Sequence, residues 1–294
     1  MKQIVVVSGK GGTGKTSITA SFATLAKKPV ICDCDVDAAN LHILMNAQIE
    51  KEHKFSGGKI AVINQEKCYG CGQCKQLCKF HAVELSNEGY FISPFMCEGC
   101  GVCFRFCPNQ AVVMKPADSG RWFESVSPYG PFIHAELGVS GENSGKLVTV
   151  VRKKAEKIAN ETGADCILID GSPGIGCPVI ASVTGTDVVI IVTEPTRPGY
   201  HDFLRIAELA RQFKTQIGVI VNKFDINESI AAEIEEKTME MNQLVLGRIP
   251  WDDDFSAVQI MGEPLVKQKD SQTSELLQKI WLKIEENYLK GDKL

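Results

Sequence analysis

The sequence has no excess of positive charge. Its 294 residues include 32 Lys and Arg against 36 Asp and Glu, which gives a formal net charge of −4. Proteins that bind nucleic acid by neutralising its phosphates depend on a basic field. The charge therefore argues against nucleic acid as a partner of this chain.

Long apolar runs are also lacking. None approaches the roughly 18 residues that a membrane-spanning helix needs. Met1 leads directly into the apolar residues 4–7, without the basic stretch and cleavage site of a secretory signal. We therefore expect a cytoplasmic protein.

An apolar stripe near the C-terminus could suggest a helix that binds membranes. Its polar face mixes acidic with basic residues, whereas helices that bind anionic lipid are rich in Lys and Arg. Docking of this helix on the protein core is therefore expected, and membrane binding is not. The stripe consists of Leu276, Leu277, Ile280, Trp281 and Ile284.

The chain contains 12 cysteines, but disulfide bonds are not expected in a cytoplasmic protein. Eight of the cysteines lie between Cys68 and Cys107, and such clustering indicates a metal centre. The other four are expected to be small buried residues, with a functional thiol at Cys177 as the open alternative. These four are Cys32, Cys34, Cys166 and Cys177.

Short β-branched runs alternate with amphipathic helical patterns over most of the chain. This alternation predicts a doubly wound α/β fold with a parallel sheet. From about residue 55 to about residue 131, cysteines, glycines and short segments replace it. We therefore predict a core domain in two parts, residues 1–54 and 136–294, split by an inserted small α+β domain at residues 55–135.

A glycine-rich loop follows the first predicted strand and precedes a helix. In that position, backbone N–H groups can converge on phosphate oxygens at the helix N-terminus. Lys15 is expected to neutralise the β- and γ-phosphates, and Thr16 to ligate Mg²⁺. A turn that binds nothing is the alternative. The expected nucleotide-binding residues of this loop are Gly9, Lys10, Gly11, Gly12, Thr13, Gly14, Lys15, Thr16 and Ser17.

Two cysteine runs have the spacing C-x2-C-x2-C-x3-C, which is that of bacterial ferredoxins. The two copies predict two [4Fe-4S] clusters. In that fold the fourth cysteine of each run ligates the other cluster. A zinc ribbon, the alternative, would use two pairs of cysteines instead of two runs of four. The first cluster is expected on Cys68, Cys71, Cys74 and Cys107, and the second on Cys97, Cys100, Cys103 and Cys78.

The glycine-rich loop with Lys10 resembles the signature of the MinD/ParA class of P-loop ATPases. The resemblance covers nearly the whole chain and points to members that carry an inserted ferredoxin domain. It implies a dimer that binds ATP and Mg²⁺, either a homodimer or a heterodimer with a related ATPase. In such a dimer, Lys10 would reach the partner's phosphates and add positive charge there. A solvated loop lysine is the alternative.

Three aspartates follow predicted strands in segments that resemble the two nucleotide-sensing switches of this class. The resemblance implies that Asp35 orients the attacking water, that Asp33 lies near the Mg²⁺ shell and that Asp170 holds the metal through water. Turn or N-cap aspartates are the alternative for each. Lys10, Lys15, Asp35 and Asp170 are thus the expected catalytic residues.

Asn222 begins an Asn-Lys-x-Asp segment, the spacing by which many G proteins read guanine. ATPases of the MinD type place an Asn here toward adenine, under a loop similar to the one that contains Pro250 and Trp251. The family analogy therefore favours ATP over GTP. A surface turn is the alternative without the family.

Together these features predict an ATPase coupled to electron transfer. ATP binding and hydrolysis would switch the shape of the dimer and gate electron transfer through the two clusters. The partners would be a redox donor or acceptor and a protein that assembles a metallocofactor or iron–sulfur cluster, a class of client that the resemblance alone implies. An iron–sulfur scaffold or carrier is the alternative, followed by a MinD-like positioning protein.

Overall fold

A computed structural model of the protein describes residues 1–138, 144–268 and 271–290. The strands of these residues are β1 (Lys2–Ser8), β2 (Pro29–Asp33), β3 (Gln48–Phe55), β4 (Lys59–Ile63), β5 (Val83–Ser86), β6 (Gly89–Ile92), β7 (Val112–Pro116), β8 (Gly120–Ser127), β9 (Gly130–Leu137), β10 (Cys166–Pro173), β11 (Val188–Thr193), β12 (Gln216–Asn222) and β13 (Leu244–Ile249). The α-helices are α1 (Lys15–Leu25), α2 (Leu41–Leu44), α3 (Gln73–Leu77), α4 (Val102–Arg105), α5 (Ser144–Thr162), α6 (Cys177–Val183), α7 (Arg197–Gln212), α8 (Glu228–Glu240), α9 (Asp254–Met261) and α10 (Gln272–Ile284).

The core is one large sheet whose described strands follow the order β13-β12-β11-β1-β10-β2-β9-β8-β3. Neighbouring strands run parallel from β13 to β9, which confirms the predicted parallel α/β fold. Alternate side chains of β1 enter different hydrophobic clusters, Val5 and Val7 on one face of the sheet and Ile4 and Val6 on the other. Both faces are therefore covered, as parallel sheets require.

The β8–β9 hairpin shows that the core sheet resumes earlier than the sequence predicts. Strand β9 pairs with β2 and β8, and β8 pairs with β3. Residues 120–137 thus belong to the core sheet, although most of them fall within the predicted insert of residues 55–135. The prediction rests on strand–helix alternation, and an antiparallel hairpin interrupts that alternation without leaving the sheet. The segment with small sheets of its own runs from β4 to β7, residues 59–116.

Residues 59–116 are built from an internal repeat. Each cysteine of the first run recurs 29 residues later in the second run. β4 pairs with β7 and β5 with β6, so each small sheet joins the strand before one run to the strand after the other. Buried Ala61, Ile63, Val83 and Val112 form the hydrophobic cluster between the sheets, with cysteines of both runs packed against it. The interleaved pairing brings the end of each run back to the beginning of the other.

The C-terminal helix α10 docks on the core, as predicted. Leu277, Ile280, Trp281 and Ile284 are buried, and Leu276 is half-buried. The ring of Trp281 lies 5.4 Å from that of Phe22 in α1, centroid to centroid. Within the described parts of the chain, no helix combines the length and apolar character needed to cross a membrane.

Candidate functional site

The glycine-rich loop between β1 and α1 lies beside the carboxyl ends of the parallel strands. Lys15 is buried, and its Nζ lies 2.8 Å from Oδ1 of Asp170 and 3.5 Å from Oδ2 of Asp35. Thr16 donates its hydroxyl hydrogen to Oδ2 of Asp170 at 2.8 Å. The structure therefore brings together four predicted site residues from three separate segments of the sequence.

Lys15 and the surrounding carboxylates stabilise one another's charge. Burial lowers the pKa of Lys15, but the attraction of Asp170, Asp35 and Asp33 outweighs burial and leaves this pKa raised. Burial has the opposite effect on Asp35, whose pKa it raises, and Lys15 offsets only part of that increase. The aspartates therefore depend on a positive charge at this point of the site.

Asp33 lies close to Asp170 and Lys15, and both of its carboxylate oxygens already accept backbone hydrogen bonds. Its Oδ1 accepts a hydrogen bond from the backbone N–H of Asp35 at 2.9 Å, and its Oδ2 accepts one from Leu41 at 3.2 Å. Both oxygens are thus used within the segment that follows β2. Burial and the nearby Asp170 raise the pKa of Asp33 well above its ordinary value. In this structure Asp33 shapes the loop that carries Asp35.

Thr19 belongs to the same network and was not among the predicted residues. Its hydroxyl lies 3.0 Å from Oδ1 of Asp170 and 2.9 Å from the carbonyl oxygen of Lys15, so it can donate to either acceptor. Thr19 lies four residues after Lys15, and this spacing places two side chains on the same face of a helix. That spacing was the available signal.

Lys10 forms an ion pair within its own chain. Its Nζ lies 2.6 Å from Oε2 of Glu194, which directly follows β11, while Nζ of Lys223 lies 2.5 Å from Oε1 of the same carboxylate. Burial raises the pKa of Glu194, but the hydrogen bonds from Lys10 and Lys223 outweigh burial and lower it below its ordinary value. Glu194 is not among the residues predicted from the sequence, although a carboxylate at the end of a parallel strand is a signal that could have identified it.

The Asn-Lys-x-Asp segment is attached to the glycine-rich loop. Asn222 is buried and donates from Nδ2 to the carbonyl oxygen of Thr13 at 2.8 Å, while Lys223 donates to that of Gly12 at 3.1 Å. Among the buried side-chain atoms that the structure describes, Oδ1 of Asn222 and Oγ1 of Thr13 have no hydrogen-bond partner. Two polar groups thus remain unsatisfied between the loop and β12.

Trp251 follows Pro250 at the end of β13 and is about half exposed. Its backbone N–H donates to Oδ1 of Asp225 at 2.7 Å, and Nζ of Lys223 lies 4.9 Å from the centre of its ring. Ser17, the last of the predicted loop residues, is buried, and its hydroxyl accepts a hydrogen bond from Gln259 of α9 at 3.0 Å. Ser17 therefore anchors α9 to α1.

Four cysteines line one cavity in the segment of residues 59–116. These are the three first cysteines of the first run and the last cysteine of the second run, namely Cys68, Cys71, Cys74 and Cys107. This is the set that the sequence assigns to the first cluster. Ala111 donates its backbone N–H to Sγ of Cys107 at 3.2 Å.

The second cysteine set repeats part of this arrangement. Ala82, which is the counterpart of Ala111 in the repeat, donates its N–H to Sγ of Cys78 at 3.4 Å. Burial raises the pKa of Cys103 to about 11, and Cys97 and Cys100 lie close enough to raise it as well. Cys97, Cys100 and Cys103 thus lie within electrostatic range of one another, and Cys78 has the same backbone partner as its counterpart Cys107.

A site for a single metal ion places its ligands differently from a site for an iron–sulfur cluster. Over the described ranges, no three His, Cys, Asp or Glu side chains converge closely enough to hold a single metal ion. In a cubane cluster each cysteine binds a different iron, so its ligands stand farther apart than those of one ion. The cavity formed by the first set and the N–H donors to sulfur fit such a cluster chemically.

The four remaining cysteines fall into two groups. Cys32, Cys34 and Cys166 are buried, as predicted, whereas Cys177 is exposed, and the prediction of a buried residue there was wrong. Cys177 begins the short helix α6, and its carbonyl would lie 3.3 Å from a Cβ placed on Gly145 in α5. Cys177 thus lies beside α5 and remains exposed, a location that sequence pattern alone does not reveal.

Comparison with known proteins identifies similar chains over most of this length. The family model of the CobQ/CobB/MinD/ParA nucleotide binding domain matches residues 4–265. Protein MJ0578 of Methanocaldococcus jannaschii is 32% identical over 287 residues, covering 97% of this chain and 96% of its own.

Solved structures show the same fold at lower identity. The cell division ATPase MinD of Pyrococcus furiosus is 19% identical with a TM-score of 0.59, covering 97% of this chain and 98% of its own. The septum site-determining protein MinD of Pyrococcus horikoshii, complexed with Mg-ADP, is 18% identical with a TM-score of 0.58, covering 97% and 96%.

Replacement of Gly14 by alanine should destabilise the loop. Gly14 has a φ of 87°, and a Cβ there would lie 2.5 Å from Nδ2 of Asn222. We expect the free energy of unfolding, measured by urea denaturation, to fall by about 1–2 kcal/mol from the backbone strain alone. Gly11→Ala is the control, since no atom lies within 4 Å of a Cβ there, and it should change stability by less than about 0.5 kcal/mol. Equal losses in both variants would contradict the assigned loop geometry.

Proposed function

Because the chain belongs to the CobQ/CobB/MinD/ParA nucleotide-binding family, we propose that it is a dimeric ATPase whose nucleotide state controls electron transfer through two [4Fe-4S] clusters. The observation that carries the ATPase part is the buried contact of Lys15 and Thr16 with Asp170 beside the glycine-rich loop. A lysine, a hydroxyl and a carboxylate in this arrangement are the groups that P-loop enzymes use for phosphate and Mg²⁺.

The proposed metal position lies between Thr16 and Asp170. Mg²⁺ prefers oxygen ligands and is often bound through one or two carboxylates together with substrate phosphates. A cation there would neutralise Asp170 and release Lys15 to the β- and γ-phosphates. Asp35, 3.5 Å from Lys15 Nζ, would then stand near the γ-phosphate, where it could orient the attacking water.

The unsatisfied oxygen of Asn222 supports adenine as the base. A buried amide oxygen without a donor is costly, and the exocyclic amine of adenine supplies the N–H donor that it lacks. Trp251 offers an exposed ring beside this position. Guanine would instead need the carboxylate of Asp225, one oxygen of which already accepts the N–H of Trp251.

The cluster part of the proposal rests on the cavity that Cys68, Cys71, Cys74 and Cys107 share. A cluster bound there would supply one-electron redox chemistry. The chain's own contribution is the set of thiolate ligands and the backbone N–H donors to sulfur, which tune the reduction potential. The internal repeat extends the same argument to the second set.

Coupling between the two parts has a structural route. The chain leaves the cysteine segment through the β8–β9 hairpin. Its second strand, β9, pairs with β2, and Leu137 at the end of β9 donates its N–H to the carbonyl oxygen of Val36 at 2.9 Å. Val36 is adjacent to Asp35. A movement of the segment around Asp35 would therefore displace β9, and with it the hairpin that follows the cysteine segment. We propose a metallocofactor-assembly protein as the electron acceptor.

The fold likeness to MinD proteins favours a second candidate, a spatial positioning protein. Such a role would use the nucleotide site and the dimer. It gives no function to the eight cysteines of the two runs, so we place it second. A cluster scaffold or carrier shares the cysteines with our first proposal and differs from it in losing iron during turnover.

Substitution of Asp35 by asparagine tests the nucleotide chemistry. We expect ATP turnover, measured as phosphate release, to fall about 100-fold or more, as for other groups that direct proton transfer, while ATP binding persists. Asp37→Asn is the matched control because Asp37 is exposed on the same segment. Equal effects of the two substitutions on ATP turnover would contradict the proposed role of Asp35. Equal affinity for GTP and ATP would contradict the proposed preference for adenine.

Paired substitutions test which cysteines share a cluster. After anaerobic purification the wild type should hold about eight irons per chain. If Cys68 and Cys107 serve one cluster, their double alanine variant should retain about four irons, whereas the double variant of Cys97 and Cys107 should retain about none.

The exposed Cys177→Ala variant is the control, and it should keep the full iron content. The opposite pattern in the two double variants would show that each run holds its own cluster. A wild type without iron would refute the cluster part of the proposal and leave the ATPase part untouched.

A further inference from the structure

Glu194 is a buried carboxylate shared by two lysines from different loops. Its side chain is 8% exposed, whereas that of Lys10 is 41% exposed. Lys10 comes from the glycine-rich loop and Lys223 from the segment after β12. Glu194 thus links Lys10, which is expected to enter the partner's site, to Lys223 in the segment that is expected to hold the base.

We infer that Glu194 is a positioning residue that retains Lys10 in its own subunit until the phosphates of a partner subunit draw the lysine away. The inference rests on the proposed nucleotide-bound dimer. It adds a competition between one carboxylate and the partner's phosphates for the same ammonium group. The strength of the contact between Lys10 and Glu194 then opposes dimer formation.

The geometry lets Lys10 leave without stranding a buried charge. Removing one partner from a buried ion pair is costly when the other charge is left uncompensated. Here Lys223 stays 2.5 Å from Oε1 of Glu194 and is itself fixed by the carbonyl oxygen of Gly12. The carboxylate therefore keeps a cation after Lys10 departs, and the exposed lysine side chain has room to extend.

The backbone of Glu194 fixes where this retention occurs. Its carbonyl oxygen accepts the N–H of Thr196 at 2.8 Å, and a Cβ on Gly199 would lie 2.3 Å from the same oxygen. The residue is thus held at the junction of β11 and α7. Since its position is fixed, the transfer of Lys10 to another subunit requires the lysine to move and not the carboxylate.

Lys223 gives this retention a connection to the base. Its ammonium group lies 4.9 Å from the ring centre of Trp251, where a cation interacts with the π face. A base stacked on Trp251 would compete with Lys223 for that face. It would thereby change the strength of the ion pair between Lys223 and Glu194. An occupied base site would thereby alter the hold on Lys10.

The test is the dissociation constant of the dimer with a non-hydrolysable ATP analogue, measured by analytical ultracentrifugation. Glu194→Gln keeps the shape but removes the charge, and should lower this constant about two- to fivefold, the range expected for one partly exposed ion pair. Glu233→Gln is the matched control, since Glu233 pairs with Arg197 on the surface at 2.8 Å, and it should leave the constant unchanged.

A double-mutant cycle separates positioning from a general structural effect. In a Lys10→Ala background the Glu194→Gln change should no longer affect dimerisation, because the two residues act through each other. An unchanged or weaker dimer for Glu194→Gln alone, or the same shift in both backgrounds, overturns the inference.

The same measurement distinguishes this failure from that of the proposed function. A wild type that binds no ATP or stays monomeric with the analogue overturns the proposed dimeric ATPase and, with it, the retention of Lys10. A wild type that forms a nucleotide-dependent dimer while Glu194→Gln behaves like it overturns the retention alone. Thermal unfolding of each variant confirms that the compared proteins are folded.

Discussion

The buried pair of Lys15 and Asp170 is the interaction around which the rest of the site is arranged. The two side chains meet where α1 begins beside β10, at the carboxyl ends of the central neighbouring strands β1 and β10. Neither charge is tolerable there alone, because desolvation of an unpaired ion costs several kcal/mol. Thr16 and Thr19 complete the hydrogen bonds of the carboxylate. The site is thus a preformed set of opposite charges, into which a phosphate and a divalent cation could enter by exchanging partners.

A second constraint is the way in which the cysteine segment enters the sheet. Residues 59–116 are framed by β3 and by the β8–β9 hairpin, and both are part of the core sheet. The segment is therefore attached through paired strands. One of these strands, β9, pairs with β2 at Ile31 and Cys32, directly before Asp33 and Asp35. This attachment gives the proposed coupling a mechanical basis, since two sites influence each other only through elements that both can bias.

Much of this organisation could be predicted from local pattern. The glycine-rich loop, Lys15 and Asp170 stand in strand and helix contexts that are short-range features, and the cysteine spacing identified the set that lines one cavity. The β8–β9 hairpin could not be placed because strand pairing over more than 80 residues depends on tertiary packing. The pairing of Glu194 with Lys10 and Lys223 could not be predicted for the same reason, since the two lysines come from distant segments. Cys177 was predicted to be buried but is exposed, because its exposure depends on packing that a glycine-rich sequence does not specify.

The central claim is that nucleotide state and cluster redox state are coupled, and the most direct test is a redox titration of the clusters followed by EPR. The midpoint potentials would be compared without nucleotide, with Mg-ADP and with Mg and a non-hydrolysable ATP analogue. Because the bound triphosphate adds negative charge to the protein, we predict that the analogue lowers the potential of at least one cluster by about 60 mV, a tenfold change in the one-electron equilibrium. Identical potentials in all three states, in a protein that binds the nucleotides, would contradict the account.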